Sequence, residues 1–144
     1  MPAPQDIQTT NGGANAGEPE TGDSITFTFA SLVNPDLILA GWDGTPTAVT
    51  VHLYDNSNND FAAVLDASDG TILWDLGAIA LNKNFTNGAE ADFTNSQMTA
   101  SGNTVTVVLG TRAGSVHTVQ SPSAMTWYTF NGSVAESGSL DIDF

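Results

Sequence analysis

Apolar and polar residues alternate in residues 22–29, which read Gly-Asp-Ser-Ile-Thr-Phe-Thr-Phe. Ile25, Phe27 and Phe29 fall on one face, and the residues between them are serine or threonine. A period of two is typical of a β-strand with one buried face. Three large side chains on one face need a second layer of structure to cover them. The rest of the chain is therefore predicted to supply a second sheet.

The same alternation recurs along the chain in short segments separated by turn residues. Further strands are predicted at residues 48–54, 60–66, 71–81, 104–111 and 124–130, with weaker ones through residues 93–98 and 139–144. Turn signals recur roughly every 8 to 12 residues, which is typical of an antiparallel β-sandwich. Asn34-Pro35-Asp36 indicates a turn or the start of one helical turn. The chain is therefore predicted to be all-β, with a sandwich over residues 22–144.

The apolar positions of these strands define the predicted core. Its members share a strand face that the alternation places inwards. They are Ile25, Phe27, Phe29, Val49, Val51, Leu53, Trp74, Leu76, Val105, Val107, Leu109 and Trp127.

Residues 1–21 differ in composition from the rest. They contain Pro2, Pro4, Pro19 and several glycines, and Ile7 is the only large apolar residue after Met1. Such a segment buries too little surface to offset its chain entropy. It is predicted to be an extended or disordered N-terminal arm that becomes ordered against a partner.

The charge balance narrows the classes of partner. The formal net charge is −14, and Lys83 and Arg112 are the only basic residues apart from two histidines. Binding to nucleic acid or to an anionic membrane needs clustered lysine and arginine, so neither partner is expected. The chain has no cysteine and no apolar run of about 18 residues, which excludes disulfides and gives no sign of a spanning segment.

Residues that could carry out catalysis are isolated from one another. His52 and His117 lack the spacing of metal ligands, and both are interpreted as half-exposed residues of the sheet. No serine lies in a Gly-x-Ser-x-Gly elbow. Asp141 and Asp143 share a strand face, but a solvated strand end explains them better than an acid pair. No catalytic residue and no cofactor are predicted, and the protein is not expected to be an enzyme.

A calcium loop is the alternative that the polar residues leave open. Asp55, Ser57, Asn59 and Asp66 place oxygen ligands at spacings similar to the twelve-residue calcium loop. Asp60 occupies the sixth position, where that loop needs glycine, and an Asn-rich hairpin turn explains the same residues. No bound ion is expected to be needed for folding.

The three tryptophans are candidates for a ligand-binding surface. Trp74 and Trp127 lie in apolar strands and are predicted to be core residues. Trp42 lies between glycines in a loop, and it is the one candidate for an exposed aromatic that could contact a ligand.

Several short motifs resemble a known domain family. They are Gly22-Asp-Ser-Ile-Thr-Phe-Thr-Phe29, Val33-Asn-Pro35, Ile38-Leu-Ala-Gly-Trp-Asp-Gly44, Leu76-Gly77, Ser101-Gly-Asn-Thr-Val-Thr-Val-Val-Leu-Gly110, Met125-Thr-Trp127 and Glu136-Ser-Gly-Ser-Leu-Asp-Ile-Asp-Phe144. Together they resemble bacterial immunoglobulin-like β-sandwich domains of actinobacterial surface proteins and actinobacteriophage virion proteins. The resemblance covers residues 22–144 and implies stable display and adhesion without catalysis.

This resemblance suggests a non-enzymatic virion structural protein, most readily a capsid decoration protein or an exposed head or tail appendage of a phage. Met1 is followed by Pro2-Ala-Pro-Gln-Asp6 rather than by the basic start of a signal peptide, which favours assembly in the host cytoplasm. The expected partners are other virion proteins, above all the capsid shell contacted through the arm, and a homo-oligomer is an option. The alternative is a secreted or cell-surface module for adhesion or glycan binding.

Overall fold

The structure is a computed structural model, and it describes residues 1–86, 88–119, 124–130, 132–135 and 144. The described residues form ten strands and one short helix. They are β1 (Pro4–Thr10), β2 (Ser24–Phe29), α1 (Pro35–Ile38), β3 (Thr47–Tyr54), β4 (Phe61–Asp66), β5 (Ala78–Ala80), β6 (Ala91–Ser101), β7 (Thr104–Val108), β8 (Thr111–Ala113), β9 (Thr126–Thr129) and β10 (Gly132–Ala135). The all-β prediction is confirmed.

The strands form one antiparallel sheet rather than two separately hydrogen-bonded sheets. Their order is β1-β2-β7-β6-β3-β4-β5-β9-β10, and β8 pairs with β6 beside this path. Strand β1 lies against β9 and β10, so the sheet curls until its two ends meet and nearly closes into a barrel. Because the sheet closes on itself, one continuous sheet covers its own apolar face. The sequence pattern had predicted that a second sheet would cover it. The immunoglobulin type of sandwich stays a prediction.

The core lies inside this curled sheet, and every predicted core residue except Trp74 is buried. At its centre, the indole ring of Trp127 packs edge-on against Phe27 and Phe29, at centroid distances of 5.2 and 4.9 Å. The indole nitrogen of Trp127 donates a hydrogen bond to the carbonyl oxygen of Leu76. The core therefore joins β2 to β9 through aromatic contacts and satisfies the one polar group of its largest side chain.

The prediction for Trp74 is wrong, because residues 71–81 are not one strand. Residues 74–76 form a turn in which the amide groups of Leu76 and Gly77 both donate to the carbonyl oxygen of Leu73. In this turn Leu73 and Leu76 are buried, and 55% of Trp74 is exposed. Because the buried residues Leu73 and Leu76 are three positions apart rather than two, the indole ring of Trp74 between them points outwards.

The prediction of a separate N-terminal arm also differs from the structure. Strand β1 pairs antiparallel with β2, and Ile7, opposite Phe27, is completely buried. The connection back to β2 is held by buried Asp23, whose carboxylate accepts backbone N–H bonds from Gly12, Gly13 and Glu20 at 2.9–3.0 Å. Main-chain pairing, the one buried apolar side chain of Ile7 and a buried carboxylate together order this segment despite its few apolar residues.

Candidate functional site

Three aromatic side chains are exposed next to one another where β5 pairs with β9. The exposed fractions are 55% for Trp74, 49% for Tyr128 and 80% for Phe130. The rings of Trp74 and Phe130 lie 6.2 Å apart, centroid to centroid, with a tilt of 53° between their planes. They line an open cleft of about 200 Å³, here called the aromatic cleft, whose lining residues are Trp74, Gly77, Ala78, Tyr128, Thr129 and Phe130.

The local fold holds the aromatic cleft in place from two sides. On β9, Trp127 points into the core and Tyr128 therefore points outwards. On the other side, Gly77 brings the Trp74 turn against β9, with a φ angle of 70° that favours glycine. A Cβ atom added at Gly77 would overlap the carbonyl oxygen of Tyr128. Only glycine allows this approach, so the turn packs directly against the strand.

Hydrogen bonding separates Trp74 from the other two tryptophans. The indole nitrogens of Trp42 and Trp127 donate to the carbonyl oxygens of Thr45 and Leu76, at 2.6 and 2.5 Å. Within the described part of the chain, neither the Trp74 indole N–H nor the Tyr128 hydroxyl has a hydrogen-bond partner. The aromatic cleft therefore combines exposed ring faces with side-chain donors that a ligand could use.

Trp42 is not the exposed aromatic that its glycine-rich loop suggested. Only 8% of its surface is exposed, and its ring belongs to the core cluster. The backbone N–H of Trp42 donates to the Leu39 carbonyl, and Gly41 and Gly44 adopt positive φ angles that fold the loop back over the sheet. The glycines therefore allow the indole ring to turn inwards, and the prediction of an exposed Trp42 is corrected.

The residues of the candidate calcium loop are not brought together. Asp55 follows the end of β3, whereas Asp66 ends β4 opposite Val49, at the other end of the β3–β4 hairpin. Five residues of strand separate Asp66 from the turn that holds Ser57 and Asn59, a distance of about 17 Å. Across the residues that the structure describes, no group of three or more histidine and acidic side chains could hold a metal ion.

Asp60, which does not fit the calcium-loop pattern in the sequence, organises the turn between β3 and β4. Its side chain is completely buried and accepts N–H bonds from Asn56, Phe85 and Thr86 at 2.7–2.8 Å. The Thr86 hydroxyl donates to the same carboxylate at 3.0 Å. Asp60 thus ties the β3–β4 turn to the loop before β6, which agrees with the Asn-rich turn as the alternative explanation.

His52 forms a small polar cluster on the outer face of β3. Its two ring nitrogens face Asp92 of β6 and Glu90, the latter at 3.0 Å, and its ring packs edge-on against Tyr54. Partial burial opposes protonation, but hydrogen bonds and charge from Asp92 and Glu90 outweigh it and raise the pKa of His52 above 6.5. The cluster links β3 to β6, and the side chain is half-buried as expected.

His117 lies apart from this cluster and from the aromatic cleft. His117 is exposed in the segment after β8, outside the described strands, and its backbone N–H donates to the Phe85 carbonyl. Asp141 and Asp143 lie outside the described residues. No described helix is long and apolar enough to cross a lipid bilayer.

Sequence reasoning missed the aromatic cleft. Ile72, Trp74 and Leu76 alternate as in a strand, and the one departure in the sequence is the apolar Leu73 on the opposite face. Comparison of the chain with protein-family models, with curated proteins and with solved structures finds no match. The immunoglobulin-like resemblance therefore stays a prediction, and the site is interpreted from its geometry.

Proposed function

We propose that this protein is a non-enzymatic structural module that binds a partner protein through the aromatic cleft. The observation that carries the proposal is the exposure of Trp74, Tyr128 and Phe130 around one cleft. Aromatic residues are enriched in the buried centres of protein interfaces, and tryptophan and tyrosine in particular dominate binding energy there. Clustered exposed aromatics usually mark a binding surface, whereas apolar residues exposed singly need no such explanation.

The specific form that we favour is an exposed component of a phage virion, such as a capsid decoration protein or a head or tail appendage. The resemblance of residues 22–144 to immunoglobulin-like domains of virion proteins supports this form. The net charge of −14 also supports it, because an acidic surface resists non-specific association when many copies are crowded together. The two cationic side chains leave few cleavage sites for trypsin-like proteases.

The route of attachment differs from the one that the sequence suggested. Residues Pro4–Thr10 are already a strand of the sheet, paired with β2, so they are not available as a loose strap to a capsid shell. The aromatic cleft takes that role in the proposal, and β1 instead stabilises the module that carries the cleft. The capsid shell remains the proposed partner.

A secreted or cell-surface adhesion module that binds glycan is the second candidate. The observation in its favour is the tilted pair of Trp74 and Phe130, whose exposed rings offer apolar faces to a sugar ring. In that case the same cleft would bind a carbohydrate, and the protein would be found outside particles.

Analysis of purified particles tests the virion proposal. Particles produced with the wild-type gene should contain the protein by mass spectrometry and should show extra density by electron microscopy relative to particles lacking it. The double variant Trp74→Ala/Phe130→Ala should fold but fail to join the particle. Leu32→Ala is the matched control, because Leu32 is 77% exposed and lies outside the aromatic cleft. This variant should join the particle like the wild-type protein. Absence of the wild-type protein from purified particles would overturn the proposal.

A further inference from the structure

The aromatic cleft offers ring faces and hydrogen-bond donors, with few side-chain acceptors. Trp74 contributes an N–H donor, and Tyr128 a hydroxyl, that no described residue engages. The Thr129 hydroxyl already donates to the Gly132 carbonyl at 3.3 Å. The remaining lining residues, Gly77, Ala78 and Phe130, have no polar side-chain group. A matching ligand presents apolar surface together with unpaired acceptors.

Proline-rich peptide has this combination. A polyproline II helix forms no internal hydrogen bonds, so its carbonyl oxygens all remain available as acceptors. Proline lacks a backbone N–H, so it brings no donor that the cleft would leave unpaired. Its rings pack against aromatic side chains, which is how proline-rich segments dock into aromatic-lined grooves.

Charge adds a second requirement for the ligand. The formal net charge is −14, and Asp75 and Asp69 lie in the same short connection as Trp74. Of the two cationic side chains, Arg112 is paired with Glu18 at 2.7 Å. Lysine or arginine beside the proline run is therefore attracted to this surface. A second copy of the chain would bring the same charge and is repelled.

Three other occupants fit the cleft less well. An added β-strand needs a free sheet edge, but the ends of the sheet, β1 and β10, lie against each other. A drug-sized ligand needs about 300–1,000 Å³, whereas the cleft holds about 200 Å³. A sugar needs several donors and acceptors around an aromatic face, and the lining supplies few acceptors.

We propose that the aromatic cleft binds a proline-rich segment of the partner protein, flanked by lysine or arginine. This rests on the proposed function, since it names the chemistry of the partner that the cleft contacts. Trp74 and Phe130 pack against proline rings, and the Trp74 indole N–H and the Tyr128 hydroxyl donate to peptide carbonyls. The basic flanks are attracted by the net negative charge of the protein.

Titration of the full-length, ¹⁵N-labelled protein with synthetic peptides tests this proposal. The probe is an acetylated peptide of sequence Lys-Lys-Pro-Pro-Leu-Pro-Pro-Lys-Lys, and the readout is the set of tryptophan indole N–H resonances. The Trp74 resonance should shift, and those of Trp42 and Trp127 should not, because both already donate within the fold. Trp74→Ala and Phe130→Ala should each weaken binding at least about tenfold, as expected for central aromatic anchors. The control Leu32→Ala should bind like wild type.

Peptide variants and competing ligands separate the outcomes. Replacing the prolines by alanine should abolish binding, and replacing the lysines by glutamine should weaken it and reduce its salt dependence. No shift of the Trp74 resonance at millimolar peptide overturns the proposal. A shift caused by hexoses but not by the peptide, or by protein concentration alone, also overturns it. If the peptide fails while the double cleft variant is still lost from particles, the proposed function stands and only the ligand chemistry is wrong.

Discussion

The two faces of β9 use aromatic residues in opposite ways. On the inner face, Trp127 is completely buried between Phe27 and Phe29 and donates its N–H to the Leu76 carbonyl. On the outer face, Tyr128 is 49% exposed beside Trp74. The indole N–H of Trp127 is satisfied within the chain, whereas no described residue bonds the polar groups of Trp74 and Tyr128. Residue type alone therefore does not show whether an aromatic side chain stabilises the fold or is available to bind a partner. Hydrogen bonding of its polar group within the chain does show this.

The largest expected effect comes from removing an aromatic ring on each side of this comparison. Trp127→Ala should lower the free energy of unfolding by about 3–5 kcal/mol, because it leaves a cavity between Phe27 and Phe29. Trp74→Ala should lower it by only about 1 kcal/mol, since 55% of Trp74 is exposed. Urea denaturation followed by circular dichroism measures both. Equal losses in the two variants would contradict the assignment of Trp74 to a binding surface.

Polar groups should show the same contrast between interior and surface. Asp60→Ala leaves the buried N–H groups of Phe85 and Thr86 without an acceptor, and we expect a loss of about 3 kcal/mol. Asp69→Ala is the control, because Asp69 is exposed and bonds only within its own turn, to Thr71. Its loss should be much smaller, because the groups it bonds stay accessible to water. Thermal unfolding of the two variants at pH 7 compares them, and similar losses would rule out Asp60 as a buried staple.

Gly77 tests whether the cleft is held rigidly against β9. Gly77→Ala should cost about 2–4 kcal/mol, from the unfavourable positive φ and from overlap with the Tyr128 carbonyl. Gly70→Ala is matched in backbone, with φ of 74° against 70°, but a Cβ there has no neighbour within 4 Å. It should cost about 1 kcal/mol, so the difference between the variants isolates the contact. No difference in their chemical denaturation would mean that the turn can move away from β9.

The smallest effect is expected from pH, at the outer face of β3. The pKa of His52 is raised above 6.5 in the folded protein, so its contribution is fully present below pH 6.5 and is lost as pH rises through the raised value. Stability should therefore fall slightly on the alkaline side of that window, by less than about 1 kcal/mol, because Glu90 and Asp92 are exposed to solvent. His52→Gln should flatten this slope. Urea denaturation at several pH values between 5.5 and 8.5 measures this free energy of unfolding. A free energy of unfolding that rises with pH over this range would contradict the prediction.

Features of the fold that depend on regular local alternation were predictable, whereas a local turn that interrupts it and contacts between distant segments were not. The period-two pattern identified β2, β3 and β7 and their buried faces, because alternation places side chains on opposite sides of a strand whatever lies beyond it. The same rule failed at Trp74, where a turn with a spacing of three interrupts the apolar run. It also failed for β1, whose stability comes from pairing with β2 rather than from its own composition.

The candidate site shows the same division between features that the sequence determined and features that it did not. The sequence by itself determined an acidic, antiparallel β-protein with a core rich in aromatic residues, because charge, alternation and residue size are properties of short segments. Only the tertiary structure decided that Trp42 is covered, that Trp74 is exposed and that Asp60 joins two loops. The indole N–H of Trp42 donates to the Thr45 carbonyl three residues further on, whereas the carboxylate of Asp60 accepts from Phe85, 25 residues away. Trp74 is exposed because the turn at residues 74–76 directs its ring outwards. The partners of a polar group are fixed by the path of the whole chain, and in this protein that path places the aromatic cleft on the surface.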